Sequence, residues 1–127
     1  MNDASFEFSD QLDGRFLESI YEGDHEHAEM VFDQFMNSVN GHIDEIDAGY
    51  NSGNTEAFRK NIHKFKPVLS FVGLTKLTEA AANIEKKCGE VTDVTNLSAL
   101  YILFKTELLE KIPVIQNDLI KLKSINS

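Results

Sequence analysis

The sequence predicts an all-α protein, an up-down-up-down four-helix bundle with a short N-terminal capping helix. Apolar residues recur at steps of three and four in five successive stretches, and no stretch alternates convincingly in the manner of a β-strand. Brief turn-like segments separate the stretches, and short connections place consecutive helices antiparallel. The chain has no internal repeat, low-complexity tract or Pro/Gly-rich linker, so residues 1–127 are expected to form one domain.

The first two predicted helices are bounded by capping residues and a glycine. The short first helix takes Ser9 or Asp10 as its N-cap and ends at Gly23, and the second takes Asp24 as its N-cap. The second apolar pattern continues across residues 40–41 (Asn-Gly), which predicts one long helix. The apolar residues of the first helix are Phe8, Leu12, Phe16, Leu17 and Ile20, and those of the second are Ala28, Val31, Phe32, Phe35, Val39, Ile43 and Ile46.

The third predicted helix follows a cluster of turn-forming residues at 49–54. It begins near Asn54 or Thr55 and ends at Gly73. Its apolar residues alternate at steps of four and three, which places them on one face of the helix. They are Phe58, Ile62, Phe65, Leu69 and Val72.

The last two predicted helices complete the bundle. Thr75 is expected to cap the fourth helix, which Gly89 ends, and the fifth runs from about Thr95 to Lys123 with a kink at Pro113. The inward residues of the fourth helix are Leu77, Ala80, Ala81, Ile84 and Cys88, and those of the fifth are Leu97, Leu100, Phe104, Leu108, Ile112, Ile115, Leu119 and Leu122.

Composition indicates a soluble, cytoplasmic protein and excludes several classes of function. The net charge of −9 disfavours general nucleic-acid binding, which requires clustered cations over a broad surface. No apolar run approaches the roughly 20 residues of a membrane-spanning helix, and the N-terminus lacks the features of a secretory signal. Cys88 is the only cysteine, which excludes an intrachain disulfide and fits a reducing compartment.

A cluster of positive charge surrounds a single histidine in the third helix. Four of the twelve cationic residues fall within eight positions of this acidic chain, namely Arg59, Lys60, Lys64 and Lys66. His63 lies about 100° around the helix from the core residue at position 62, so its side chain is expected to face solvent. Lys66 lies one helical turn further along the same face.

An exposed imidazole among cations is suited to phosphoryl transfer. A neutral imidazole nitrogen is nucleophilic near neutral pH and can form covalent intermediates. Phosphoryl transfer requires mainly positioning and positive charge near the moving oxygens. Composition and spacing alone leave open the alternative that His63 is an ordinary surface histidine in a basic stripe.

The residues from His63 to Glu85 resemble the signature of the histidine-containing phosphotransfer (HPt) family of two-component phosphorelays. That signature comprises a histidine, a lysine three residues later with a small residue after it, a glycine near +10, a leucine near +14, and an apolar–acidic pair near +21 and +22. The chain supplies His63, Lys66, Gly73, Leu77 and Ile84-Glu85. The five-helix organisation is also that of the family, so the resemblance covers essentially the whole chain.

The resemblance implies a role for each matching residue. His63 would accept the phosphoryl group on Nε2, and Lys66 would neutralise that group or contact the partner. Glu85 would accept a hydrogen bond from Nδ1–H of His63, and Gly73 would only end the helix. The chain would be a phosphocarrier between receiver-domain aspartates, without a cofactor of its own, because the partner receiver would bring Mg²⁺.

The expected partners are receiver domains of response regulators or of hybrid histidine kinases. The chain is expected to bind them as a monomer. Pro67 departs from the family pattern, in which glycine often follows the lysine. It is expected either to bend the helix or widen its turn between His63 and Pro67, or to be a tolerated surface substitution. A non-catalytic docking module of the same fold is the alternative function. The residues expected to contact the receiver, including apolar residues exposed on the first helix, are Leu12, Phe16, Arg59, Lys60, Lys64, Pro67 and Ser70.

Other candidate sites are weaker. His25 and His27 are two residues apart and point to different sides of a helix, and no third metal ligand is evident. His42 is expected to be solvated, and Cys88 to be a small core residue. The chain has no GxxxxGK[ST] phosphate loop, so no ATP-dependent kinase activity is expected.

Overall fold

The computed structural model describes residues 6–127, which form five α-helices and one short 3₁₀ turn. The predicted all-α fold is confirmed. The helices are α1 Gly14–Tyr21, α2 His25–Asn51, α3 Thr55–Ser70, α4 Thr75–Cys88 and α5 Ser98–Asn126, and the 3₁₀ turn Val94–Leu97 precedes α5.

The four long helices form a closed bundle. Helix α2 packs on α3 and α5, and α4 packs on the same two helices, so that α3 and α5 occupy opposite corners. Each large apolar side chain that is buried contributes about 1.5–3 kcal/mol to folding. The largest fully buried side chains are Phe32, Phe35, Phe58, Phe65, Leu17, Ile46, Ile62, Leu69, Ile84, Leu108, Ile115 and Leu122.

Helix α1 caps the bundle at the turn between α3 and α4. The backbone N–H of Asp13 donates to the carbonyl of Gly73 (2.8 Å), and the hydroxyl of Thr75 donates to Oδ2 of Asp13 (2.8 Å). The hydroxyl of Tyr21 donates to the carbonyl of Phe71 (2.7 Å). The hydrogen bond from Thr75 is the main reason why the pKa of Asp13 is lowered. These contacts fix the short helix that the sequence predicts as a cap.

The start of α1 differs from the prediction. Asp13, not Ser9 or Asp10, accepts the capping hydrogen bond, and the helix begins at Gly14. Leu12 lies before the helix and is only 6% exposed, so the prediction that it forms part of an exposed docking surface is wrong. Its side chain packs in the core, whereas Phe16 is partly exposed. The error arose because the apolar spacing runs back through an irregular segment that is itself buried.

The ends of α2 and α4 also differ from the predicted boundaries. Helix α2 continues to Asn51, so that it includes the first three residues of the predicted turn cluster. Leu74 occupies the N-cap position of α4, and Thr75 is the first helical residue, because its hydroxyl is bonded to Asp13 instead of a backbone N–H of its own helix. Asn54 caps α3 as predicted, through a hydrogen bond from the backbone N–H of Ala57 (3.0 Å).

The two helical prolines do not interrupt their helices. Helix α3 is α-helical through Pro67, and α5 is α-helical through Pro113. The widened turn predicted between His63 and Pro67 is therefore wrong, and a bend at either proline stays a prediction. Both prolines are exposed, so the carbonyl oxygens that lose an N–H partner lie on the water side of the bundle.

Candidate functional site

His63 projects from the outer face of α3. The residues of α3 that face the core are Phe58, Ile62, Phe65 and Leu69, and this register turns position 63 outward. The side chain of His63 is 62% exposed. The imidazole is therefore accessible to a partner protein, as the sequence predicts.

Glu85 of α4 fixes the orientation of the imidazole. Its Oε2 lies 2.7 Å from Nδ1 of His63, and the carboxylate side chain is only 18% exposed. An ionised carboxylate accepts hydrogen bonds but donates none, so Nδ1 must carry the proton in this contact. In the neutral ring Nε2 then keeps its lone pair, which is available for attack on an electrophile.

Lys66 contacts the other oxygen of the same carboxylate. Its Nζ lies 2.6 Å from Oε1 of Glu85, one helical turn after His63. Burial raises the pKa of Glu85. The hydrogen bonds and the charges of Lys66 and His63 lower it by more than burial raises it, so the pKa is lowered overall. The carboxylate therefore remains ionised at neutral pH. The two side chains from α3 hold it from both oxygens.

The basic cluster of α3 is largely paired with acidic residues. Arg59 contacts Glu56 on its own helix, and its Nη1 lies 3.8 Å from Oε2 of Glu85. Nζ of Lys64 lies 3.8 Å from Oε1 of Glu45 on α2. The sequence identifies the cations but not most of these partners, because Glu45 and Glu85 reach them from neighbouring helices.

An exposed strip runs from His63 to the C-terminal end of α3. Pro67 is exposed one turn after His63, and Ser70 is partly exposed almost two turns after it. Phe71 follows directly and is 48% exposed, although it is a large apolar residue. Phe71 is not among the predicted contact residues, because it lies off the core face of α3 and directly after its last residue, where no pattern in the sequence marks it.

The remaining candidates lie outside this site. The ring of His42 packs on Phe65 with 5.0 Å between centroids, and burial lowers its pKa, so the prediction that it is solvated is wrong. Cys88 is 5% exposed, and burial raises the pKa of its thiol, consistent with a core residue. Across residues 6–127, no three His, Cys, Asp or Glu side chains are grouped to hold a metal ion. In the same range, no helix combines the length and apolar composition needed to cross a bilayer.

Comparison with known proteins identifies the family. The family model described as the Hpt domain matches residues 30–124, which include His63, Lys66 and Glu85. The chain belongs to the Hpt domain family. Its function is histidine phosphotransfer in a phosphorelay, and Hpt domains interact with the receiver domains of response regulators and kinases. The resemblance noted in the sequence is thus confirmed.

A solved structure supports the fold of this Hpt domain. The chain is similar to histidine-containing phosphotransfer protein B (HptB) from Pseudomonas aeruginosa PAO1, with a TM-score of 0.64 and 20% sequence identity. The similarity covers 91% of this chain and 94% of that one. No curated protein matches the chain.

Proposed function

We propose that His63 is the residue that carries the phosphoryl group in this Hpt domain. The observation that supports this assignment best is the pairing of an exposed imidazole with a largely buried carboxylate, which holds the proton on Nδ1 and leaves Nε2 free. The Nε2 lone pair attacks the phosphorus of a receiver's aspartyl phosphate. The bond between phosphorus and the aspartyl oxygen breaks, and the aspartate leaves as a carboxylate.

The phosphorylated ring is a cation, because Nε2 gains phosphorus while Nδ1 keeps its proton. Glu85 lies 2.7 Å from that proton-bearing nitrogen and stabilises the positive ring. In the second half of the relay an aspartate of another receiver attacks the phosphorus, and Nε2 departs as neutral imidazole. The same contact serves both directions of transfer.

Lys66 acts in this proposal through Glu85 and through its charge. Its ammonium holds the second carboxylate oxygen at 2.6 Å, and its side chain remains 25% exposed beside His63. Positive charge at this place offsets the negative charge of the phosphoryl oxygens as they approach. The receiver supplies Mg²⁺ and the groups that surround the phosphoryl group, so the chain itself is a phosphocarrier without a cofactor.

The phosphotransfer unit in this proposal is a single chain in the cytoplasm. His63, Lys66 and Glu85 all belong to one chain, so a monomer contains a complete site. The receiver docks over the exposed end of α3, at Pro67, Ser70 and Phe71, with the lysines of the basic cluster steering its approach.

Transfer from a radiolabelled phosphorylated receiver tests the assignment. Wild-type protein should acquire a label that is stable in base and labile in acid, and His63→Gln should acquire none. His27→Gln is the matched control, because His27 is exposed but distant in sequence from the cluster. Undiminished labelling of His63→Gln would refute the assignment. A wild-type chain that binds the receiver but is never labelled would instead favour the docking-module alternative.

A further inference from the structure

The outer face of α5 carries an uncharged, largely apolar stripe that phosphotransfer does not use. Six exposed residues at steps of three and four lie within about 40° of one direction around the helix, over a length of about 27 Å. None of them is charged, and Ile102, Leu109 and Ile120 are 62%, 49% and 55% exposed. The stripe consists of Ile102, Thr106, Leu109, Pro113, Gln116 and Ile120.

The stripe is symmetric about its own centre. Position 111 lies midway between Ile102 and Ile120, between Thr106 and Gln116, and between Leu109 and Pro113. Two copies of α5 that pack antiparallel about a two-fold axis at position 111 therefore place each residue opposite its counterpart. Apolar residues meet apolar residues and polar residues meet polar ones, which is the self-complementarity that an isologous interface requires.

We propose that the chain forms a reversible homodimer through antiparallel packing of α5 against α5 of a second copy. The charge distribution permits contact between two acidic chains at this helix. Helix α5 carries four lysines and three acidic residues, a net charge of +1, whereas α2 carries six acidic residues and no lysine or arginine. Two copies that meet at α5 therefore avoid the local repulsion that contact between two copies of α2 would cause.

The position of α5 in the bundle leaves both phosphotransfer sites free in this dimer. Helix α3, which carries His63, occupies the corner of the bundle opposite α5. A receiver can therefore dock on α3 of either copy while α5 is covered. The stripe is about 27 Å long and, as the face of a single helix, about 10 Å wide. The area that it can bury is smaller than that of a standard interface, so the dimer is expected to be weak and to exchange rapidly.

Sedimentation velocity over a range of concentrations tests the proposal. As the protein concentration is raised to about 1 mM, the sedimentation coefficient of the wild type should increase toward the value expected for a dimer. Leu109→Glu should weaken association at least about tenfold, because it places a charge at the centre of an apolar contact. Met30→Glu is the matched control, since Met30 is an apolar residue of α2 that is 52% exposed and lies outside the stripe.

Cysteine cross-linking tests the antiparallel register. Ile102→Cys and Ile120→Cys, mixed and treated with a mild oxidant, should form a disulfide-linked heterodimer, whereas each variant alone should not cross-link. The wild type provides the background, because its Cys88 is buried.

A wild type that stays monomeric to about 1 mM, or a dimer unaffected by Leu109→Glu, would overturn the proposal. Efficient cross-linking of either variant alone would overturn the register. Phosphotransfer should be normal in Leu109→Glu, so the result is independent of the assignment of His63.

Discussion

Glu85 accepts a hydrogen bond from Nδ1 of His63 at 2.7 Å, although the two residues are 22 positions apart and lie on different helices. Lys66 holds the same carboxylate from its other oxygen at 2.6 Å. The orientation of the imidazole therefore depends on the packing of α3 against α4. Any change that shifts one of these helices along the other is expected to disturb the orientation of the imidazole.

The first prediction concerns the tautomer of His63. Glu85→Ala removes the acceptor at Nδ1, so the neutral ring should become a mixture of tautomers, and transfer from a receiver should slow roughly tenfold or more. Glu85→Gln retains an acceptor oxygen but not the charge, so its transfer rate should lie between that of Glu85→Ala and that of the wild type. Nitrogen-15 chemical shifts of the imidazole report the tautomer directly. Unchanged shifts in Glu85→Ala would show that another group sets the tautomer.

The second prediction separates the role of Lys66 from the general positive charge of α3. Lys66→Ala should slow phosphotransfer roughly tenfold while leaving receiver affinity nearly unchanged, because its charge acts at the reacting group. The substitution should also raise the pKa of Glu85, because the hydrogen bond from Lys66 is the largest of the interactions that lower this pKa. Lys60→Ala is the control on an exposed lysine of the same helix. Equal transfer rates in the wild type and Lys66→Ala would remove the lysine from the mechanism.

The lowered pKa of Glu85 gives a third prediction, on stability and pH. A carboxyl whose pKa is lower in the folded protein binds protons less readily there than in the unfolded chain, whose reference pKa is 4.5. Its stabilising contribution is therefore complete above pH 4.5 and is lost as the pH falls through the folded value. The difference in unfolding free energy between wild type and Glu85→Gln should follow this course in denaturant titrations. A difference that grows as the pH falls would contradict it.

Helical periodicity predicted most of the fold, because apolar spacing records which side of each helix is buried. The long α2 through residues 40–41, the core face of α3 and the outward position of His63 all followed from it. Periodicity failed where buried residues lie outside helices. Leu12 matches the spacing of α1, yet it belongs to an irregular segment that packs into the core.

The site was predictable only in part from spacing. The cluster of cations in α3 is visible in the sequence, whereas the pairing of Glu85 with His63 depends on how α3 and α4 pack and came from the family resemblance. The packing of His42 on Phe65 and the exposure of Phe71 have no clear signal in composition. Both depend on where one helix ends or crosses another.

The fourth prediction concerns the close approach of α2 and α3 at Gly49. A Cβ added there would lie 2.9 Å from the backbone nitrogen of Phe58, and backbone atoms cannot rotate away. Gly49→Ala should therefore destabilise the protein by about 1–3 kcal/mol despite its better helix propensity. Gly41→Ala in the same helix meets no atom within 4 Å and should be stabilising by about 0.5–1 kcal/mol. Chemical denaturation of both variants measures the contrast, and equal effects would contradict it.

The last prediction locates the receiver interface at the C-terminal end of α3. Phe71 is 48% exposed, and its carbonyl already bonds to Tyr21, so replacing the ring leaves the local backbone contacts in place. Phe71→Asp should weaken receiver binding about tenfold with little change in melting temperature, because an exposed aromatic ring is a typical binding hot spot. Met30→Asp, an exposed apolar position on α2, should have no effect on binding. Isothermal titration with a receiver measures both.

Pro67 gives this interface a second and independent test. The residue is exposed one turn from His63, where a bulky side chain would stand between the imidazole and a docked receiver. Pro67→Leu should therefore slow transfer, whereas Pro67→Gly should preserve it. Neither change should reduce stability, because proline is the least favourable residue in a helix interior. Relative to alanine, proline costs about 3 kcal/mol at such a position and glycine costs about 1 kcal/mol. Normal transfer and affinity in both Pro67→Leu and Phe71→Asp would place the receiver on another face of the bundle.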